Sequence, residues 1–181
     1  MNIGNKEYLE FAKEIAYEAG KMMLKYFNAK DISSYKGDKT IVTLADKEIN
    51  TYLINRVKEK FPAHSVDGEE EQFGNSDYVW VCDPVDGTAM YARHIPVAVF
   101  SLALVVNGEP KVGVVYDVFT DTLYSAIKGE GAYKNGEKIT VNDYELNDMR
   151  SVSNFDMWPE AEHFHYYLCR RLKAAEWRLV C

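Results

Sequence analysis

The chain has 181 residues, of which 47% are hydrophobic, 27% charged and 13% aromatic, with 11 Gly and 5 Pro; that balance excludes a disordered, collagen-like or low-complexity polypeptide and predicts a packed core. Its 21 Lys and Arg against 28 Asp and Glu give a net charge of −7, so no basic field exists to hold nucleic acid or an anionic membrane surface. Cys82, Cys169 and Cys181 show no C-x-x-C spacing, the opening residues carry Lys6, Glu7 and Glu10, and no run approaches the roughly 18 apolar residues of a membrane span. A cytoplasmic protein with reduced thiols is expected.

From Glu7 to Phe27, apolar residues recur three or four apart at Tyr8, Phe11, Ile15, Ala19, Met22, Met23 and Tyr26, which predicts an amphipathic helix. The polar stretch Asn28 to Lys39 leads to Thr43-Leu-Ala-Asp46, a capping-box pattern with Asp in place of the commoner Glu or Gln. A second helix follows to about Lys60 through Ile49, Leu53 and Val57, and Pro62 stops it.

Beyond Pro62 the period changes. His64–Val66, Tyr78–Cys82, Val97–Val106, Val112–Val118 and Leu123–Ile127 are short segments rich in β-branched and aromatic residues and predict strands. Asn107-Gly108 and Asn135-Gly136 suit tight hairpin turns, so part of the sheet is expected to be antiparallel. Two helices followed by a run of strands favour α+β layers over a doubly wound sheet. Further on, Pro159 to Lys173 reads as a helix and Trp177 to Cys181 as the opening of another element. His163 and His165 lie two apart, which on a helix does not face them together, so they read as surface residues rather than metal ligands.

The densest chemistry is Asp83-Pro-Val-Asp86-Gly-Thr88, directly after the apolar segment Tyr78–Cys82. Pro84 fixes φ and lacks an N–H, so a rigid turn can present both carboxylates to one point. Gly87 lets backbone amides approach an oxyanion, and Thr88 offers a hydroxyl. Hard oxygen ligands of this kind suit Mg²⁺, which takes one or two carboxylates together with substrate phosphate. Upstream stands Asp67-Gly68-Glu69-Glu70-Glu71. Alone, three adjacent Glu read as a solvated face and D-x-x-D-G-T as a turn; together they point to a metal site.

On these residues the sequence resembles the inositol monophosphatase family of magnesium-dependent, lithium-sensitive phosphatases. Gly68-Glu69-Glu70 is similar to the family's G-E-E loop and Asp83-Pro-Val-Asp86-Gly-Thr88 to its D-P-[IL]-D-G-T signature. The stretches His94-Ile-Pro96, Val105-Val-Asn-Gly108, Gly113-Val-Val-Tyr116 and Lys128-Gly-Glu-Gly-Ala-Tyr133 follow the family too, over roughly the first 140 residues.

The resemblance implies an α+β fold of the sugar-phosphatase type, a layered α-β-α-β sandwich. Residues 1–145 would form the metal-binding portion and 146–181 the start of a second α/β layer cut short. It implies Glu69, Asp83, Asp86 and the Val85 carbonyl as metal ligands, Glu69 and Thr88 as the groups that orient an attacking water, and the Gly87 and Thr88 amides as phosphate holders. Lys36 and Asp46 would stand behind the site. The implied partner is a small phosphorylated alcohol such as inositol monophosphate, and the implied assembly a homodimer. Fructose-1,6-bisphosphatase or 3'(2'),5'-bisphosphate nucleotidase activity is the alternative within the superfamily, and a non-catalytic metal-binding interaction module the alternative outside it. Two departures stand out: Ala89-Met90-Tyr91 replaces the usual Thr-Asn-Phe-like triplet, and the later W-D motif is missing, since Trp158 precedes Pro159 and Trp177 precedes Arg178. The apolar end at Trp177–Cys181 reads as a truncation.

Overall fold

A computed structural model of the chain describes residues 3–29, 33–35 and 41–141, most of the compact unit Met1–Thr140. Lys36, residues 146–181, the helix expected at Pro159–Lys173 and the pair His163 and His165 lie outside the described residues. Among those described, no helix is long and apolar enough to cross a membrane.

Helix α1 runs Ile3–Phe27, four residues earlier than the apolar spacing alone indicates. Its stripe Phe11, Ile15, Ala19 and Met23 is fully buried, each large side chain contributing about 1.5–3 kcal/mol of apolar transfer. A short antiparallel pair, β1 (Ser33–Tyr35) and β2 (Ile41–Thr43), is not among the expected elements; β1 lies in the polar stretch Asn28 to Lys39, and β2 just after it. Helix α2, Leu44–Lys60, starts with the expected capping box: Asp46 N–H donates to Thr43 Oγ1 at 3.4 Å, and Thr43 N–H donates to Asp46 Oδ2 at 2.8 Å. It ends where the Phe61 amide bonds the Val57 carbonyl, just before Pro62.

Eight strands follow in one sheet. They are β3 (Ser65–Gly68), β4 (Gln72–Phe73), β5 (Tyr78–Asp86), β6 (Val99–Val106), β7 (Glu109–Asp117), β8 (Thr122–Ile127), β9 (Gly131–Lys134) and β10 (Glu137–Ile139). Their order is β10-β9-β8-β7-β6-β5-β3-β4, and β3 with β5 is the parallel pair in an otherwise antiparallel ladder. Asn107 and Gly108 both take positive φ, 53° and 76°, as do Asn135 and Gly136, as two-residue hairpin turns of the right twist require.

The register explains the layers. Val66, Trp80, Leu104, Val112 and Ile127 form one cross-sheet row, and Phe100, Tyr116 and Leu123 form another. All are buried in one core with α1 and α2, so helices cover that face. The alternate row, Val81, Ala103, Gly113, Ala126 and Ala132, points the other way. This is the α+β layering expected from the order of elements. Strand β5 differs from expectation in continuing through Pro84 to Asp86 instead of ending at Cys82.

Candidate functional site

The end of β5 is bent by its own sequence. Asp83 pairs with Ser101 and Asp86 with Val99, so Pro84 and Val85 stand opposite Phe100 alone, a β-bulge at a residue that has no N–H to give the ladder. The Val85 amide instead donates to Asp83 Oδ1 at 3.2 Å, fixing that carboxylate. Val85 packs its side chain in the core, while its carbonyl accepts Thr88 Oγ1–H at 2.8 Å. Gly87 has φ +96°, and a Cβ there would lie 2.8 Å from the Val97 carbonyl, so only glycine makes this turn without displacing backbone. The single-turn helix α3, Thr88–Tyr91, follows. In the departing triplet, Met90 is exposed, whereas Tyr91 is buried and donates its hydroxyl to the Met23 carbonyl at 2.5 Å, tying the turn to α1.

The second wall is the loop after β3. Parallel pairing sets Gly68 against Cys82, and the Glu69 amide then donates to the Cys82 carbonyl at 3.2 Å, which brings Glu69 beside Asp83. The Gly68 amide closes the loop onto the Glu71 carbonyl at 3.2 Å.

Helix α2 supplies the third wall. Asp46, only 1% exposed, takes Thr43 Oγ1–H on Oδ2 at 2.5 Å, while its Oδ1 is buried without a hydrogen-bond partner. Oxygens of Asp46, Glu69 and Glu70 all lie within 4.8 Å of one another. Burial pushes the Asp46 pKa up to about 6 against the lowering effect of its Thr43 bonds, and the charges of Glu69 and Glu70 add to the rise. Asp83 is pushed up to about 7, first by desolvation and then by Glu69 and Asp86. Burial also pushes the Cys82 thiol up, so this free cysteine is an inert core group and no nucleophile.

The structure thus brings Glu69, Asp83, Asp86, Asp46, Thr88 and the Val85 carbonyl to one end of the sheet. Every donor is oxygen, one buried carboxylate oxygen is orphaned, and the carboxylates penalise one another, the arrangement that a hard divalent cation relieves. The tightest trio includes Asp46 and Glu70, which the sequence reading placed behind the metal or in the loop motif only. From the site a concavity of about 630 Å³ extends over the sheet face opposite the helices, floored by the small row Val81, Ala103, Gly113 and Ala126 and reaching Glu69 and Asp83.

One residue escaped the sequence reading. Asn50 is fully buried, and its side chain bonds the backbone of the Glu69–Glu71 loop. The signal available was a polar residue one turn after Asp46, on the same face of a helix whose neighbours Ile49 and Leu53 are core residues.

The chain is similar to known proteins of one family. The model of the "Inositol monophosphatase family" matches residues 5–171. Inositol monophosphatase 1 of Solanum lycopersicum is 36% identical over 143 residues, 76% of this chain and 52% of that protein. The fructose-1,6-bisphosphatase/inositol-1-monophosphatase of Aquifex aeolicus is 39% identical over 144 residues, 77% of this chain and 54% of its own length. Among solved structures, a Thermotoga maritima IMPase superposes with a TM-score of 0.71 at 33% identity, covering 76% of this chain and 54% of that one. The chain spans about half the length of the curated relatives it matches.

Proposed function

The chain belongs to the inositol monophosphatase family, and from that membership we propose that it serves a magnesium-dependent phosphomonoesterase acting on a small phosphorylated alcohol such as inositol monophosphate. The observation that carries the reading is the cluster of Asp46, Glu69 and Glu70, whose oxygens lie within 4.8 Å of one another, with Asp46 Oδ1 buried without a partner and Asp83 close enough to feel the charges of Glu69 and Asp86. Asp83, Asp86, Glu69 and the Val85 carbonyl would hold the cation. When bound, Mg²⁺ supplies charge neutralisation on the phosphate and lowers the pKa of the attacking water.

The residues of the chain do the rest. Glu69 accepts a hydrogen bond from the attacking water and aims its oxygen at phosphorus; as the new bond forms, the bond to the alcohol oxygen breaks, and the proton the water gives up ends on the departing alkoxide. Thr88 spends its own hydroxyl proton on the Val85 carbonyl, so its oxygen faces the water as an acceptor and fixes the second hydrogen. The amides of Gly87 and Thr88 hold a phosphate oxygen at the turn. No covalent phospho-enzyme is needed, in keeping with a thiol at Cys82 that burial silences.

The Aquifex aeolicus relative carries fructose-1,6-bisphosphatase in its name, which favours a sugar bisphosphate as the second substrate reading; bisphosphate nucleotidase activity and a non-catalytic metal-binding module are the remaining ones. Lithium inhibition, a homodimer and a cytoplasmic setting complete the proposal. Release of inorganic phosphate from inositol-1-phosphate, fructose-1,6-bisphosphate and a 3',5'-bisphosphonucleoside, with and without Mg²⁺, separates the substrate readings. Magnesium-dependent release from the inositol phosphate supports the first reading. Metal binding without turnover of any of them supports the interaction module.

A further inference from the structure

Asn50 lies on α2 four residues after Asp46, so the two side chains project from one helix face a turn apart towards the loop that carries Glu69 and Glu70. Its carbonyl oxygen accepts the amides of both Glu70, at 3.2 Å, and Glu71, at 3.3 Å. Its amide group donates to the Glu71 carbonyl at 3.0 Å. A side chain with no exposure therefore makes three hydrogen bonds to the backbone of an irregular loop, sharing the Glu71 carbonyl with the Gly68 amide. Gly68 explains how it gets so close: a Cβ there would stand 2.1 Å from Asn50 Oδ1.

We infer that Asn50 is a positioning residue for the metal centre: through Gly68 and the Glu70 and Glu71 backbone it fixes the loop so that Glu69 and Glu70 face Asp46 at ligating distance. Asparagine is the residue that fits, because the task needs an acceptor for two amides and a donor for one carbonyl from one short side chain. An aspartate would bring the acceptors but lose the donor and add a charge beside Asp46, Glu69 and Glu70. The inference rests on the metal reading of the site, and it assigns to Asn50 no contact with substrate or cation. Partners that fix the orientation of ligands in this way commonly account for about 10–100-fold in metal affinity.

The test measures Mn²⁺ binding by calorimetry and amide hydrogen exchange in the metal-free protein, on the whole chain. Wild type should show slow exchange at Glu70 and Glu71, and Asn50→Ala should speed both while leaving the Val85 and Tyr91 amides unchanged and weakening Mn²⁺ binding about 10-fold. Gly68→Ala attacks the same contact from the loop side and should weaken binding too, while adding little in the Asn50→Ala background, where its clash is gone. Fast exchange at Glu70 and Glu71 in wild type overturns the inference and needs no variant that must fold. Undiminished Mn²⁺ affinity in Asn50→Ala overturns it as well. Asp83→Asn separates the levels: if that variant loses Mn²⁺ while Asn50→Ala does not, the positioning role fails and the metal site stands. If neither loses it, both fail.

Discussion

Asp83 sits half-buried on the bulge of β5 with Glu69 and Asp86 beside it, and its pKa stands at about 7 where 3.8 is ordinary. Asp46 stands at about 6 for the related reason of burial. Both groups therefore keep protons in the folded, metal-free protein at pH values where the unfolded chain has lost them. The stability that this difference contributes is full below about pH 4 and is lost as pH rises towards about 7. Denaturant midpoints measured in chelator should fall across that window, and Asp83→Asn should flatten the fall; an unchanged slope in the variant contradicts the assignment. At Gly87, alanine adds a Cβ 2.8 Å from a backbone carbonyl at φ +96°, a strain of about 1–2 kcal/mol before the clash is counted. Gly87→Ala should keep the far-UV circular dichroism of the sheet and melt lower than wild type. The two acidic motifs, Gly68-Glu69-Glu70 and Asp83-Pro-Val-Asp86, stood out in the sequence because each is one unbroken run. Asn50 did not, because the amides it holds lie 20 and 21 residues away on another element.

At the scale of elements, the site is an intersection of α2, the β3 end and the β5 end, and the capping box at Thr43 is a joint between them. Thr43 caps α2 and also gives its hydroxyl to the carboxylate that faces Glu69. Removing it should cost about 1 kcal/mol of stability, as cap losses do, and should leave Asp46 with fewer bonds to its charged form. Thr43→Ala is therefore expected to melt lower and to bind Mg²⁺ more weakly, with Thr43→Ser recovering both. Helix and strand periods made α1, α2 and most of the sheet readable. The β1–β2 pair was hidden because its strands are three residues each, and the continuation of β5 because Pro84 ordinarily ends a strand; here a bulge accommodates it. Tyr91 shows the same limit: its hydroxyl reaches the Met23 carbonyl 68 positions away, which the triplet Ala89-Met90-Tyr91 by itself does not reveal.

Among the described residues, one face of the sheet is a core under two helices, and the other carries a floor of Val, Ala and Gly beside the acidic site. That floor follows from register, which no single segment of sequence displays: Val81, Ala103, Gly113 and Ala126 become neighbours only when four strands pair. The net charge of −7 repels an anionic substrate at long range, so phosphate binding has to wait on a cation. On the proposed reading, part of that charge, at Glu69, Asp83, Asp86 and Asp46, recruits one. The central claim is tested most directly by calorimetric titration of the chain with Mg²⁺ near neutral pH, alongside Asp83→Asn. The account predicts saturable binding by wild type that weakens at least about 10-fold in the variant; absence of saturable binding, or equal binding by both proteins, would contradict it.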